Sequence, residues 1–533
     1  MGADMNRGKV RGHTVGHVAA LAVIALVSAG CGGGDDVDLD DPAGGEGGGD
    51  AADGGNGGGS DGGTLVAAIS AQPDQFDPHK TQAYASFQVL ENVYDTLVVP
   101  DAEGEFQPSL ATEWTTSDDG LTWTFTLREA VTFHDGSAFD SADVVYSYNR
   151  IINEQLANAY RFASVASIDA PDPQTVAITL TTPTPALLDN IGGFKGMAII
   201  PEGSAEATDL ATTAVGTGPF TLEDVGANGV TLSRYDDYWG DPALVDGVEF
   251  QYVSEPAAAL TALRSGDVHW TDNVPPQDIE GLQDDDQVEL GVTPSVDYWY
   301  LAMNQARPPF DNRDFRRGVA FGIDRDEVTE AARFGAATTN QTAIPEQSRW
   351  YHEYAPFEHD PDQATQLIEQ TAAQSPQPMG LMVTDEYPET VQAAQVIQAQ
   401  LAEVGVEVGI EQEAFATWLD RQAAGDYDAF LLGWLGNLDP FGFYHAQHVC
   451  EGTSNFQGYC NPEVDELLNQ AAAETDQDAR KALYDQAAEL IVDDVSYLYL
   501  YNPDVVQAWV PGLEGYEVRA DKAINFETVR LPE

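Results

Sequence analysis

Short apolar runs alternate along this chain with stretches in which apolar residues recur every three to four positions, and the two rhythms predict strands and helices respectively. Residues 64–70 (Thr-Leu-Val-Ala-Ala-Ile-Ser) predict a short buried strand, and 86–98 an amphipathic helix that runs into a second apolar stretch. After the turn Ser117-Asp118-Asp119-Gly120, the residues Leu121, Trp123, Phe125 and Leu127 alternate with polar ones, which signals a hairpin. A helix through Tyr146 and Arg150 follows, with Asp140 or Ser141 as its cap. Strands are expected at 175–180, 198–200, 220–223, 230–234 and 247–253, then a helix at 256–263. Beyond 290, strands at 298–304, 379–384, 406–412, 429–433, 497–501 and 505–509 alternate with helices at 313–321, 361–369, 390–404, 462–473 and 478–492. That alternation implies an α/β architecture with parallel strand pairs.

The first 63 residues follow neither rhythm. Arg7, Lys9 and Arg11 precede the apolar run Val18 to Val27, and Ser28, Ala29 and Gly30 lead into Cys31. This is the layout of an export signal, and a run of roughly ten residues falls short of the ~20 that span a bilayer. Residues 32–63 carry nine acids, no Lys or Arg and no aromatic, a composition that cannot offset the entropy of folding. A leader over 1–30 and a flexible tether over 31–63 are therefore expected.

Length and charge narrow the classes of function. With 533 residues, 43% apolar, the chain suffices for three domains or two lobes. Eighty-eight acids against 23 bases give a net charge of −65, which opposes binding to a phosphate backbone, so no nucleic-acid partner is expected. The acid is spread over the folded part, and with only five lysines it suits a surface that stays hydrated in high salt.

Motifs of covalent chemistry are absent from the sequence beyond the tether: residues 64–533 hold no G-x-S-x-G, no H-E-x-x-H, no C-x-x-C and no Walker loop. Gly216-Thr217-Gly218 lacks the third glycine of a nucleotide loop and runs into Pro219, so it reads as a turn. No catalytic residue, metal or cofactor is expected. Cys450 and Cys460 form an even pair in an exported chain and read as a disulfide. The rival reading, a metal site with His445 and His448, needs an irregular H-x-x-H-x-C spacing.

The specific signal is a series of segments in fixed order. Pro108 to Trp114, Ser117 to Arg128, Phe133-His134-Asp135-Gly136 and Ala142 to Ser147 with Arg150 are followed by Gly216 to Phe220, Tyr238-Trp239-Gly240 and Leu263 to Val268. Asn304, Pro308-Pro309-Phe310, Arg316, Ile323-Asp324-Arg325, Gly433-Trp434 and Asn461 to Asp465 continue it. Together they closely resemble the family 5 extracellular solute-binding proteins of ABC importers, the peptide/nickel class. The resemblance implies a two-lobe, periplasmic-binding-protein-like α/β fold of type II, with an extra subdomain in lobe 1 and an interlobe ligand cleft. Carried onto this chain, lobe 1 covers 64–97, 198–290 and 498–533, its extra subdomain 98–197, and lobe 2 291–497. Ala29-Gly30-Cys31 resembles a bacterial lipobox, with Ser28 where Leu is usual, so Cys31 is expected to be lipidated and to anchor the protein to the outer face of the cell membrane.

The same resemblance implies a ligand site and partners. Gln82, Tyr84, Tyr160, Phe415, Gly433 and Trp434 align with pocket residues of peptide-binding relatives, and Tyr499 and Tyr501 lie near the lobe-crossing segment. Such relatives place an Asp three residues after the motif Trp for the ligand's α-ammonium, where this chain has Asn437; Asp439 either substitutes or forms an Asp-Pro turn. The 380–390 segment holds no Arg for a C-terminal carboxylate. A free dipeptide is thus disfavoured and an oligopeptide expected, with a receptor for an oligosaccharide or a nickel or other metal chelate as the alternative, and a chaperone or a lipid-anchored hydrolase behind it. The expected partners are that small-molecule or oligopeptide ligand and an ABC permease, with the receptor itself a monomer.

Overall fold

The computed structural model describes residues 61–533 except 102–103, 157, 194, 372–377, 385–386 and 437. The leader, Cys31, the tether up to residue 60, and Asn437 therefore lie outside the described residues. Residues 61–63 are already fastened to the body: Gly62 N donates to Leu244 O at 2.7 Å, and Arg530 pairs with Asp61 at 2.8 Å.

One long sheet organises the molecule. Thr64–Ile69 pairs in parallel with Gly247–Tyr252 and Trp270–Thr271, and Gly229–Arg234 and Phe220–Val225 extend that side antiparallel. At the far side Tyr298–Met303 pairs antiparallel with Ala429–Trp434, beside which Met379–Thr384 and Val408–Glu413 lie in parallel. The strand Leu498–Trp509 joins the two halves: its end pairs with Trp270–Thr271 and Glu289–Pro294, its start with Tyr298–Met303. A separate four-stranded sheet contains Ala111–Thr116, Thr122–Leu127, Thr175–Leu180 and Val165–Asp172 in that order.

Among the described residues three hydrophobic cores match this division. One, within 298–501, centres on Tyr300, Trp418 and Phe430. A second draws on 65–94, 198–288 and 508–529, around Phe250, Trp270 and Phe526. The third fills 97–199 around Phe125, Phe133 and Tyr148. The mixed α/β molecule is thus two-lobed, with segments near 289–298 and 498–509 running between the first two cores.

Local chemistry explains most elements. Every residue of Tyr298–Met303 is buried, as befits a strand covered on both faces, whereas Thr122–Leu127 buries only Trp123, Phe125 and Leu127. Asp140 caps the helix Ser141–Asn153 in a reciprocal box with Asp143, while Ser141 Oγ instead donates to Asp172 O at 2.7 Å.

Three expectations differ from the structure for visible reasons. The helix expected over 86–98 spans only Tyr84–Leu90, because the carbonyls of Asn92 and Val93 accept from Phe220 N at 3.1 Å and Gly218 N at 3.0 Å. That approach requires glycine: a Cβ on Gly216 would lie 2.0 Å from Val93 O. Residues 198–200 form no strand, and Ile199 N donates to Asp95 O at 3.0 Å. The two strands expected around Asn502-Pro503 are one, because Asn502 Nδ2 reaches Asp297 O at 2.8 Å and Ala343 O at 3.0 Å across the proline.

Candidate ligand-binding site

A cavity of about 530 Å³ opens where the two lobes and the 97–199 core meet, within the range usual for small-molecule pockets. One wall is the end of Ala429–Trp434 and the residues after it, Gly433 to Gly436. This segment is held close to its neighbours: a Cβ on Gly433 would lie 2.6 Å from the Trp299 indole, and one on Gly436 1.6 Å from Val296 O. The opposite wall comes from Gln82 and Tyr84 at the start of Tyr84–Leu90 and from the loop Arg519 to Asn525, where Tyr84 OH donates to Lys522 O at 3.4 Å. Asn158, Tyr160, Arg161, Val99 and Pro100 close a third side. Tyr160 is 66% exposed and Leu435 70%, so large apolar groups stand open in a concave surface.

The polar lining is balanced. Among the described residues three acids, Glu91, Asp297 and Asp521, meet three bases, Arg161, Arg519 and Lys522, in a chain whose acids outnumber its bases almost fourfold. Arg519 is tied to Asp521 at 2.7 Å and to Pro100 O at 2.6 Å. Lys522 pairs with Asp297 across the cavity. A smaller cavity of about 350 Å³ lies beyond Leu438, with Trp123, Asp189, Trp350, Asp439 and Arg480 in its lining. Burial raises the Asp189 carboxyl to about 7, and Arg161 opposes that shift.

A sequence profile of the bacterial extracellular solute-binding proteins, family 5, middle region, matches residues 105–455. The chain belongs to this family. Its members are extracytoplasmic binding proteins of ABC transporters and not enzymes. The probable D,D-dipeptide-binding periplasmic protein DdpA of Escherichia coli strain K12 is 28% identical over 469 residues, covering 85% of this chain and 91% of that protein. DppA of Helicobacter pylori, solved with the peptide STSA, superimposes with a TM-score of 0.77 at 26% identity over 89% of this chain and 99% of that one. NikA of Brucella suis, solved with Fe(III)-EDTA, gives 0.80 at 22% identity over 88% and 100% and so speaks to the fold alone.

Family 5 motifs turn out to be mainly structural. His134 Nε2 and Nδ1 bridge the Gly216–Gly218 turn, Asn304 Nδ2 donates to Gly425 O and Tyr427 O, and Arg325 donates to three main-chain carbonyls from full burial. Of the residues singled out for ligand contact, Gln82, Tyr84, Tyr160, Gly433 and Trp434 line the larger cavity. Phe415 opens the helix Phe415–Ala424 and packs on Tyr387 at 5.4 Å and Trp418 at 6.0 Å, away from the cavity. Tyr499 and Tyr501 are buried in the crossing strand, Tyr499 OH against His448 Nε2 at 2.9 Å and Tyr501 stacked on Trp299. Asp439 forms a bidentate pair with Arg480 at 2.6 and 2.7 Å, and its Oδ1 also accepts from Phe441 N. It lines the smaller cavity.

Cys450 and Cys460 are joined in a disulfide. His448 is fully buried between Ser496 and Tyr499, which holds its imidazole down at about 3, while His445 meets Asn469 at 3.0 Å. Among the described residues no cluster of three or more His, Cys, Asp or Glu is placed to hold a metal. Sequence reading missed Asp297, Arg519, Asp521 and Lys522. The one available signal was scarcity: Lys522 is one of only five lysines in the chain.

Proposed function

We propose that this protein is the receptor of an ABC importer, capturing a short peptide between its lobes and delivering it to the permease as a monomer tethered to the outer face of the cell membrane through a lipid on Cys31. The observation that carries the reading is the interlobe cavity, where the strand end at Gly433 and Trp434 faces Tyr84 and Tyr160 across a charge-balanced lining. An open strand end can pair with a ligand main chain, and aromatic walls tolerate varied side chains. A ligand that touches both lobes selects the closed arrangement by its differential affinity for it. The D,D-dipeptide-binding and STSA-binding relatives support a peptide over a sugar or chelate. So does the position of His445 and His448, neither of which lines the cavity. The roles assigned here to Gln82, Tyr84, Tyr160, Gly433 and Trp434 are part of this proposal. The acid-rich surface suits work at high ionic strength.

Native mass spectrometry of the gently purified protein tests the reading. Adducts that resolve into peptides support it, and a single sugar or metal-chelate mass overturns the peptide assignment while leaving a receptor. Detergent phase partition tests the anchor: a mature protein found wholly in the aqueous phase removes the lipid from Cys31.

A further inference from the structure

Asp297 and Lys522 come from opposite walls of the cavity. Asp297 precedes Tyr298–Met303, and the pairing of Tyr298 with Trp434 sets it beside Leu435. Its Oδ1 accepts from Gly436 N at 3.1 Å, and its Oδ2 holds the ammonium of Lys522. The Asp297 side chain is 10% exposed and that of Lys522 32%. Lys522 has a φ of +58°, the left-handed region where glycine is comfortable and lysine is strained. The loop therefore bears backbone strain while presenting this side chain to the cavity. The neighbouring pair is of another kind, since the Arg519 guanidinium meets both oxygens of Asp521 at 3.0 and 2.7 Å. A lysine ammonium is a single compact donor group on a flexible stem, and any other primary ammonium meets a carboxylate in the same way.

We propose that Lys522 is a tethered competitor: its ammonium occupies the Asp297 subsite, and a ligand binds by replacing it with its own ammonium while giving Lys522 an anionic group in exchange. This deepens, and rests on, the peptide-receptor reading. The exchange is balanced only for a zwitterion. A ligand with a cation alone strands Lys522, one with an anion alone strands Asp297, and an unpaired charge in a closed cavity is costly. The competitor also lowers apparent affinity by the fraction of molecules in which it fills the subsite. The ligand class so defined is a peptide with both termini free.

The test is equilibrium dialysis against a random tetrapeptide pool in three forms, with free termini, N-acetylated and C-amidated, read by mass spectrometry. The wild type is expected to favour the free form over either blocked form by about tenfold or more. Lys522→Met is expected to bind the amidated pool about tenfold tighter than the wild type does, and to stop distinguishing amidated from free. Asp297→Asn is expected to stop distinguishing acetylated from free. Lys522→Gly, which suits the left-handed backbone, repeats the lysine result in a chain relieved of strain. Failure of both lysine variants to gain affinity for the amidated pool overturns the proposal, as does an Asp297→Asn protein that still rejects acetylated peptides. A wild type that takes all three forms equally also overturns it but leaves the peptide receptor standing. A wild type that takes none of them while retaining a non-peptide solute overturns the peptide assignment on which the proposal rests and leaves a receptor for another solute.

Discussion

The larger and the smaller cavity share Leu438 but treat charge in opposite ways. In the smaller one Arg480 and Asp439 are 4% and 8% exposed, locked by two short hydrogen bonds, and the guanidinium lies 5.1 Å over Trp350 and 5.3 Å from Tyr484. In the larger one the pair that crosses the space ends in a single-point ammonium on a side chain about a third exposed, and tyrosines and a leucine stand open around it. Charged residues in a cavity wall therefore do not mark a ligand surface by themselves. A bidentate pair buried on both sides is structural, because neither partner can leave without stranding the other. Exposed rings and an exchangeable ammonium are what a ligand can use.

The sharpest break of this comparison removes Arg480. Arg480→Met leaves the Asp439 carboxylate buried without its partner, and the expected loss is about 3–5 kcal/mol, read as a fall in the unfolding midpoint in denaturant. Ligand affinity measured well below that midpoint is expected to stay within about threefold, because the pair does not line the larger cavity. An affinity loss as large as the stability loss would merge the two cavities into one functional site.

Next in size is Asp189, buried beside the smaller cavity and raised to about 7 from a usual 3.8. A carboxyl raised on folding binds its proton more tightly in the native state between those two values, so its contribution to stability falls as pH climbs through that window. Asp189→Asn, which need not ionise, should gain on the wild type by about 2–3 kcal/mol between pH 5 and pH 8 and level off above that. His448 has the opposite sign: held down at about 3, it favours the fold above its unfolded value of 6.5 and loses that contribution as pH falls from there toward 3. Thermal unfolding of both proteins across pH isolates the Asp189 component, since His448 is common to them. A variant that tracks the wild type at a constant offset would show that Asp189 does not titrate in this range.

Trp434→Ala tests the larger cavity from the other direction. Truncating an aromatic at the centre of a binding surface typically costs about 1–3 kcal/mol, so peptide affinity is expected to drop by roughly tenfold or more. The loss of stability should be smaller than that of Arg480→Met, as Trp434 is only partly buried. Affinity unchanged within about twofold would remove Trp434 from the site.

What was legible in the sequence follows the same division. Elements with an even rhythm came through: Thr122–Leu127 and the long helices over 388–403 and 477–493 are fixed by local burial patterns. Elements decided by distant partners did not. Nothing near residue 92 announces that its carbonyl will be taken by Phe220 N, nor that Asn502 will carry a strand past a proline. The aromatics divide likewise. Tyr160 and Tyr499 look alike in sequence, yet one sits on a single turn facing the cavity and the other is sealed by His448 and Tyr298. The charged half of the cavity lay in the loop Arg519 to Asn525, which has no periodicity to read and whose partners lie hundreds of residues away.

The smallest expected effect belongs to an ion pair that joins the 97–199 subdomain to the 298–501 lobe. Arg349 Nη1 meets Glu105 Oε1 at 2.5 Å at the rim of the smaller cavity, but the side chains are 35% and 54% exposed. Water and salt reach both, so the short distance carries little free energy, and Glu105→Gln should change stability by no more than about 0.5 kcal/mol at low ionic strength. In molar salt, where the screening length drops to about 3 Å, the difference should vanish. The Asp297–Lys522 pair spans the lobes too, but with a nearly covered carboxylate, so salt should reach it far less. If Glu105→Gln instead costs several kcal/mol and resists salt, exposure is the wrong criterion for separating exchangeable charges from structural ones. The distinction between the two cavities would then have to rest on bond geometry alone.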